Sequence, residues 1–274
     1  MKLSLIILLV QLMSSTKIYS QQDSLRFDEL IDYSFIINGK SNSEFQTSGT
    51  GSILKYKDKF YLITNFHVLT GKDSKTNEKF PDLKDTNSAI SIIFQNADRK
   101  SKFIVIVYPI YNSKGEELFR TYMFKNQIID ISVLPIDVPE KVLKSFFEIN
   151  DLDTTWSYEP DKKVSFWGFP DGNFKNSWQP TEMTAKTVRN SQVGEFIFDP
   201  YVFFDNEPIK GMSGSPLYII DNDNKIKFLS VVSNVVDDNP KIKGRSVYSL
   251  CALQLIKKMY EEKIPSVIGE EYDY

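Results

Sequence analysis

From residue 48 to residue 236 the chain is a succession of short apolar runs, rich in aromatic and β-branched residues, each ended by Gly, Asn, Asp or Pro. Runs of this kind are too short for helices and read as strands, and many strands at close spacing lead to barrels or sandwiches. "SGTGSILKY" and "KFYLITNF" form a hairpin about Lys57-Asp58, and further strands are expected at 89–94, 103–108, 123–128 and 131–135. A polar, mixed-charge segment at 140–159 separates them from a second series: "KVSFWGFP", "TAKTVRN", "EFIFDPYVFF", "SPLYII" and "IKFLSVVSNVV". The turn "DNDNK" joins the last two. The period then changes: Leu250, Leu253, Ile256 and Tyr260 fall on one side of a helix at 249–262, with Lys257, Lys258, Glu261 and Glu262 largely on the other. The expected organisation is an N-terminal β-rich half (21–150), a second half ending in that helix (151–262) and a tail (263–274).

Residues 1–20 read as an export leader, with Lys2 ahead of an apolar run and a small residue, Ser20, at the expected cleavage point before Gln21. The apolar run falls short of the roughly 20 residues a membrane-spanning helix needs, so no stable membrane insertion is expected once it is removed. The mature protein is expected in the periplasm or the medium. No Cys follows the cleavage point to carry a lipid, and the sole Cys251 has no partner for an internal disulfide. Stability must come from packing, for which 41% hydrophobic residues suffice. Without its leader the chain keeps 31 basic against 36 acidic residues, a net charge of −5, and no basic block. General nucleic-acid binding is thereby excluded. "DNDNK" lacks the glycine and glutamate that an EF-hand loop requires, and one His with one Cys gives no transition-metal cluster. No cofactor is expected.

Three stretches carry the residue types of acyl transfer: His67 in "TNFHV", Asp130 in "DISVLPI" and Ser213 in "GMSGSP". A serine hydroxyl is a poor nucleophile until a base takes its proton, and imidazole both accepts that proton and returns it to the leaving group. A carboxylate on the other ring nitrogen holds the tautomer and stabilises the imidazolium. Asp130 competes for this role with Asp82, Asp85, Asp98 and Asp137, and is favoured because the apolar strand after it would hold its carboxyl inside. The glycines around Ser213 allow a tight turn whose amides, those of Gly211 and Ser213, would face a developing oxyanion.

In these motifs the sequence resembles the chymotrypsin-fold, or trypsin-like, serine peptidases, and among them the disulfide-free bacterial branch typified by HtrA proteases. The resemblance covers about 49–262 and rests on "ITNFHV", "DISVL" and "GMSGSP" in the family's chain order. It implies an all-β fold of two Greek-key six-stranded β-barrels with a C-terminal α-helix and an active site in the cleft between the barrels. It also implies an exported serine endopeptidase acting on a protein or peptide substrate through His67, Asp130 and Ser213, with Gly211 and Ser213 as the oxyanion hole. By the family pattern Glu207, Val231, Val232, Ser233 and Asn234 border the substrate side chain. Glu207 either sits at the pocket floor, selecting Lys or Arg, or is a solvated surface charge beside a site for small apolar side chains. Met212 stands where digestive trypsins carry an aspartate, so activation by a freed amino terminus is not expected. The few residues after the helix are too short for a PDZ domain. The alternative is a catalytically silent module of the same fold that binds peptides or a partner protein. An esterase is disfavoured because "GMSGS" runs into a strand instead of the helix of a nucleophile elbow.

Overall fold

The computed structural model describes residues 30, 32–41, 44–95, 97, 103–142, 145–155, 159–170, 180–189, 199–221, 223, 225–236 and 239–272. The leader at 1–20, Asp98 and the start of "EFIFDPYVFF" lie outside them.

Among the described residues fourteen strands form two antiparallel sheets, most of them on the short apolar runs. The first half contains β1 (Phe35–Ser41), β2 (Glu44–Tyr56), β3 (Lys59–Thr64), a short helix α1 (Phe66–Thr70), β4 (Ala89–Gln95), β5 (Phe103–Pro109), β6 (Arg120–Phe124) and β7 (Gln127–Ile136). The second contains β8 (Lys163–Gly168), β9 (Thr181–Lys186), β10 (Tyr201–Phe204), β11 (Pro216–Ile220), β12 (Ile226–Val235) and β13 (Gly244–Tyr248), then helix α2 (Ser249–Glu261). A last strand, β14 (Glu270–Tyr272), returns to the first sheet.

The second sheet has the order β10-β13-β12-β11-β8-β9, and a bridge between Thr187 and Phe204 joins its outer strands, closing a six-stranded barrel. The first runs β14-β5-β4-β1-β2-β3-β7-β6, eight strands where the family pattern implied six. The two outermost are β6, folded back on β7, and β14, supplied by the tail. The run expected as one strand at 123–128 is instead the β6–β7 hairpin, because Lys125 and Asn126 both adopt left-handed backbone (φ 48 and 61). Two successive left-handed residues make the tight turn whose twist matches antiparallel strands. Asp130 consequently lies within β7, not ahead of it.

Alternation along the strands assigns side chains to two cores. Ile37 of β1, Ile53 of β2, Leu62 of β3, Ile92 of β4, Ile106 of β5 and Leu134 of β7 share one cluster, so the first sheet curls around its own interior. The opposite faces of β3 and β7 present Tyr61, Ile63, Ile129, Ile131 and Val133 to a second cluster that includes Phe166, Phe204, Leu217 and Phe228 of the second barrel, and Leu250, Leu253 and Ile256 of α2. One continuous apolar core therefore docks the halves. Cys251 is buried in it, and burial pushes its thiol up to about 12, so it serves packing.

The 140–159 segment is more than a tether. Phe147 pairs with Leu54 and Leu152 with Phe228 in isolated parallel bridges, one to each sheet. The Phe147 ring is fully buried, stacked on Phe228 at 4.7 Å and set against Tyr33 at 4.7 Å. Truncating a buried Phe leaves an unfilled cavity, so Phe147→Ala is expected to lower stability by about 3–5 kcal/mol. The urea midpoint measures it; an unchanged midpoint would mean the segment contributes nothing to docking.

Candidate active site

β3 ends at Thr64, and the chain turns through buried Asn65 into α1, which stops after one turn at Gly71 in left-handed backbone (φ 72). Phe66, Val68 and Leu69 of this turn are anchored in the first core, leaving His67 at its edge. Asp130 lies on the core-facing side of β7, in alternation with Leu134 and Ile136. Asn65 Nδ2 donates to the Asp130 carbonyl at 2.7 Å, locking the turn to β7.

The two side chains meet at close range. Asp130 Oδ1 accepts the His67 backbone N–H at 3.1 Å, and Oδ2 lies 2.8 Å from His67 Nδ1. A carboxylate beside Nδ1 keeps the proton there, leaving Nε2 as the basic nitrogen. Ser233 Oγ donates to the same Oδ2 at 2.8 Å. A fifth of the His67 side chain is exposed against 2% of Asp130's, so the imidazole is reachable from outside and the carboxylate is not. Burial pulls the His67 pKa down, but the Asp130 carboxylate, with a smaller contribution from Asp73, outweighs it and leaves the pKa above the ordinary 6.5. Burial pushes Asp130 up; the charge and hydrogen bonds of His67 and the Ser233 hydroxyl overcome it and hold the carboxyl below its usual range.

Ser213 lies in the loop before β11. Gly211 and Gly214 on either side have φ 94 and 89, and a Cβ on Gly214 would lie 1.8 Å from the Thr50 carbonyl oxygen. Only glycine fits such backbone at such close approach. Thr50 of β2 ties this loop to the first half: its N–H donates to the Ser213 carbonyl at 2.7 Å and its hydroxyl to the Gly211 carbonyl at 3.1 Å. The same hydroxyl accepts Phe169 N–H at 3.1 Å. Met212 points into the shared core, fully buried, where an aspartate would need a charged partner. Among the described residues, the amides of Gly211 and Ser213 have no protein acceptor.

Thr50→Val keeps the shape of the side chain but strips Gly211 O and Phe169 N of their partner. Each orphaned buried group costs about 1–3 kcal/mol, so both the urea midpoint and kcat should fall. Wild-type values for both would show that the loop holds without this clamp.

The structure thus joins His67 directly to Asp130, and joins Ser213 to them through Ser233. Ser213 Oγ donates to the Ser233 carbonyl at 3.3 Å, while the Ser233 hydroxyl bonds Asp130. No Ser213–His67 hydrogen bond is present among the described residues. Of the other expected site residues, Val231 and Val232 are buried, Asn234 is half-buried and Glu207 is exposed. Asp82 and Asp85 lie in the loop between α1 and β4, and Asp137 follows β7. Thr50, Asn65 and the Ser233 hydroxyl contact escaped the sequence reading, since nothing local marks a threonine or asparagine that bonds across more than 60 residues. Among the described residues no group of three or more His, Cys, Asp or Glu gathers to hold a metal, and no helix is long and apolar enough to cross a membrane.

Two β-sheets sharing a core, with a histidine–aspartate pair on one and a glycine-flanked serine on the other, define the class of trypsin-like peptidases. Residues 49–226 match the trypsin-like peptidase domain family, and the chain belongs to it. It is a serine endopeptidase by that membership. Its fold is similar to a serine endoprotease from Yersinia pestis (TM-score 0.50, 13% identity, 88% of this chain and 68% of that one covered). It is also similar to a thermostable serine protease from an extremophilic microorganism (TM-score 0.53, 9% identity, 86% and 100% covered). No curated protein is significantly similar in sequence.

Proposed function

We propose that the protein is an exported endopeptidase in which Ser213 attacks the peptide carbonyl, His67 acts as base and then acid, and Asp130 orients His67. The observation that carries this reading is the 2.8 Å contact between His67 Nδ1 and a buried carboxylate, which leaves Nε2 free to take a hydroxyl proton. The Gly211 and Ser213 amides hold the oxyanion, and water later releases the acyl group.

β11 covers β12 only as far as Val231, so the backbone of Ser233, Asn234 and Val235 is open on that side to an extended peptide. A peptide N–H paired with the Ser233 carbonyl displaces the Ser213 hydroxyl from it and frees that hydroxyl to turn towards His67. Substrate binding and nucleophile alignment are then one event. Glu207 and Lys210 are exposed charges, and the other exposed side chains near the loop and the strand, Ile209 and Val235, are apolar. These features support small apolar side chains at the cleaved residue, with Glu207 a surface charge.

The test is a fluorophosphonate probe with intact-mass readout, alongside digestion of a peptide library. One adduct on Ser213 and cleavage after small apolar residues are expected. Folded protein that takes up no probe and cuts nothing would refute the proposal in favour of a peptide-binding module.

A further inference from the structure

From Asp130 Oδ2, the oxygen that also meets His67 Nδ1, hydrogen bonds continue into the second barrel. The Ser233 hydroxyl has one proton and two candidate acceptors: Asp130 Oδ2 at 2.8 Å and, for one orientation of the neighbouring amide, Asn234 Oδ1 at 3.2 Å. Which it serves depends on how the Asn234 amide is turned, and that is assigned from its neighbours. With Oδ1 towards Ser233, the amide nitrogen faces the Arg245 guanidinium, donor against donor, and Oδ1 faces the Ser233 carbonyl, acceptor against acceptor. Turned over, Nδ2 donates to Ser233 O at 2.6 Å and to Ser233 Oγ at 3.2 Å, and Oδ1 accepts from Arg245 Nη2 at 3.1 Å.

A guanidinium has donors only, so it selects the amide oxygen and rejects the nitrogen. Once the nitrogen faces Ser233, the hydroxyl oxygen accepts a hydrogen bond from Asn234 Nδ2 and its own O–H has Asp130 Oδ2 as acceptor. Arg245 is itself held in place. It pairs with Asn234 across the β12–β13 ladder, and its guanidinium lies over the Tyr201 ring at 4.4 Å.

We propose that Arg245 is a positioning residue of the peptidase site: by fixing the amide of Asn234 it commits the Ser233 hydroxyl to Asp130. The inference rests on the triad reading given above. Without Arg245 the amide keeps only the Ser233 carbonyl to select its orientation, and the Ser233 proton is shared in part with Asn234 Oδ1. Asp130 Oδ2 then loses a donor and becomes the stronger acceptor for His67 Nδ1–H, which favours the imidazolium. The other charged or titratable groups facing this region are Asp73 after α1, Lys125 in the β6–β7 turn, Asp199 and Tyr201 at β10, and Cys251 of α2. All of them stay unchanged in the variants below.

His67 is the only histidine, so its ring Cε1–H signal in NMR needs no assignment. The titration is followed in the full chain carrying Ser213→Ala, which prevents self-cleavage. Arg245→Met is expected to raise the His67 midpoint by about half a pH unit or more, the worth of one neutral hydrogen bond. In an Asn234→Ala background there is no amide to turn, and the same substitution should raise it by less than half as much. Equal shifts in the two backgrounds would reduce Arg245 to a distant charge and overturn the proposal, as would no shift in either. Arg245→Leu, neutral and without a donor, takes its place with the same outcomes if the methionine variant does not fold. Probe labelling of the wild type separates the two readings. A labelled enzyme with equal shifts loses only the role of Arg245, whereas an unlabelled protein with the expected shifts loses the peptidase mechanism and keeps the network.

Discussion

Ser213→Ala is expected to fold with the wild-type urea midpoint and to lose peptide hydrolysis by a factor on the order of 10⁶ in kcat. The hydroxyl makes one hydrogen bond, to the Ser233 carbonyl at 3.3 Å, and that carbonyl also faces the Asn234 amide, so its removal strands no buried group. The loop conformation comes from Gly211, Gly214 and the Thr50 clamp, all of which remain. What disappears is the nucleophile, while the amides that would hold the oxyanion persist and leave a residual rate above that of water. Steady-state kinetics on a peptide taken from the library digestion measure the loss. A variant that cuts at the wild-type rate would exclude Ser213 as the attacking group.

Asp130→Asn is expected to lower kcat by about 10⁴-fold and to move the pH profile at the same time. Oδ1 of Asp130 accepts the His67 backbone N–H, so in the variant the amide oxygen must keep that place and the NH₂ takes the place of Oδ2. There it faces Nδ1, which can then only accept. The imidazole is forced into the tautomer with its proton on Nε2, where it cannot receive one from Ser213. In the wild type the acid limb of kcat/KM should lie above 6.5, because Asp130 raises His67. In the variant burial acts without the carboxylate, and the limb moves down. Stability follows the same pair. The part due to Asp130, whose folded pKa is depressed, is complete above the ordinary 3.8 and is lost as pH falls through the folded value. The part due to His67, whose folded pKa is raised, is complete below 6.5 and is lost as pH rises through the folded value. The stability deficit of Asp130→Asn should therefore be widest between about pH 4 and 6.5, which urea unfolding across pH will show; a deficit independent of pH would contradict the ion pair.

Much of this was legible in the residues themselves. Apart from β1, which precedes the first run read as a strand, most strands of both halves announced themselves by short apolar runs, and α2 by a change of period, because alternation and helical spacing record which side chains face a core. His67 stood out as the only histidine, and Ser213 by the glycines that its turn requires. The hairpin at Lys125-Asn126 was hidden because neither residue is the glycine that usually marks left-handed backbone. β14 was hidden because all three of its residues are exposed, so burial left no pattern in them. β13 was hidden behind its opening Gly-Arg, although Val247 and Tyr248 are buried.

By itself the sequence determined the class of fold, the chain order of the reactive groups and the absence of disulfide support, since each follows from residue type and spacing. The tertiary structure alone decided which partners those groups have. Thr50 reaches the Gly211 carbonyl across 161 residues, Ser233 reaches Asp130 across 103, and Arg245 orients Asn234 from the neighbouring strand. A hydrogen bond selects its partner by distance and angle, and those exist only after two sheets far apart in the chain have packed on a common core.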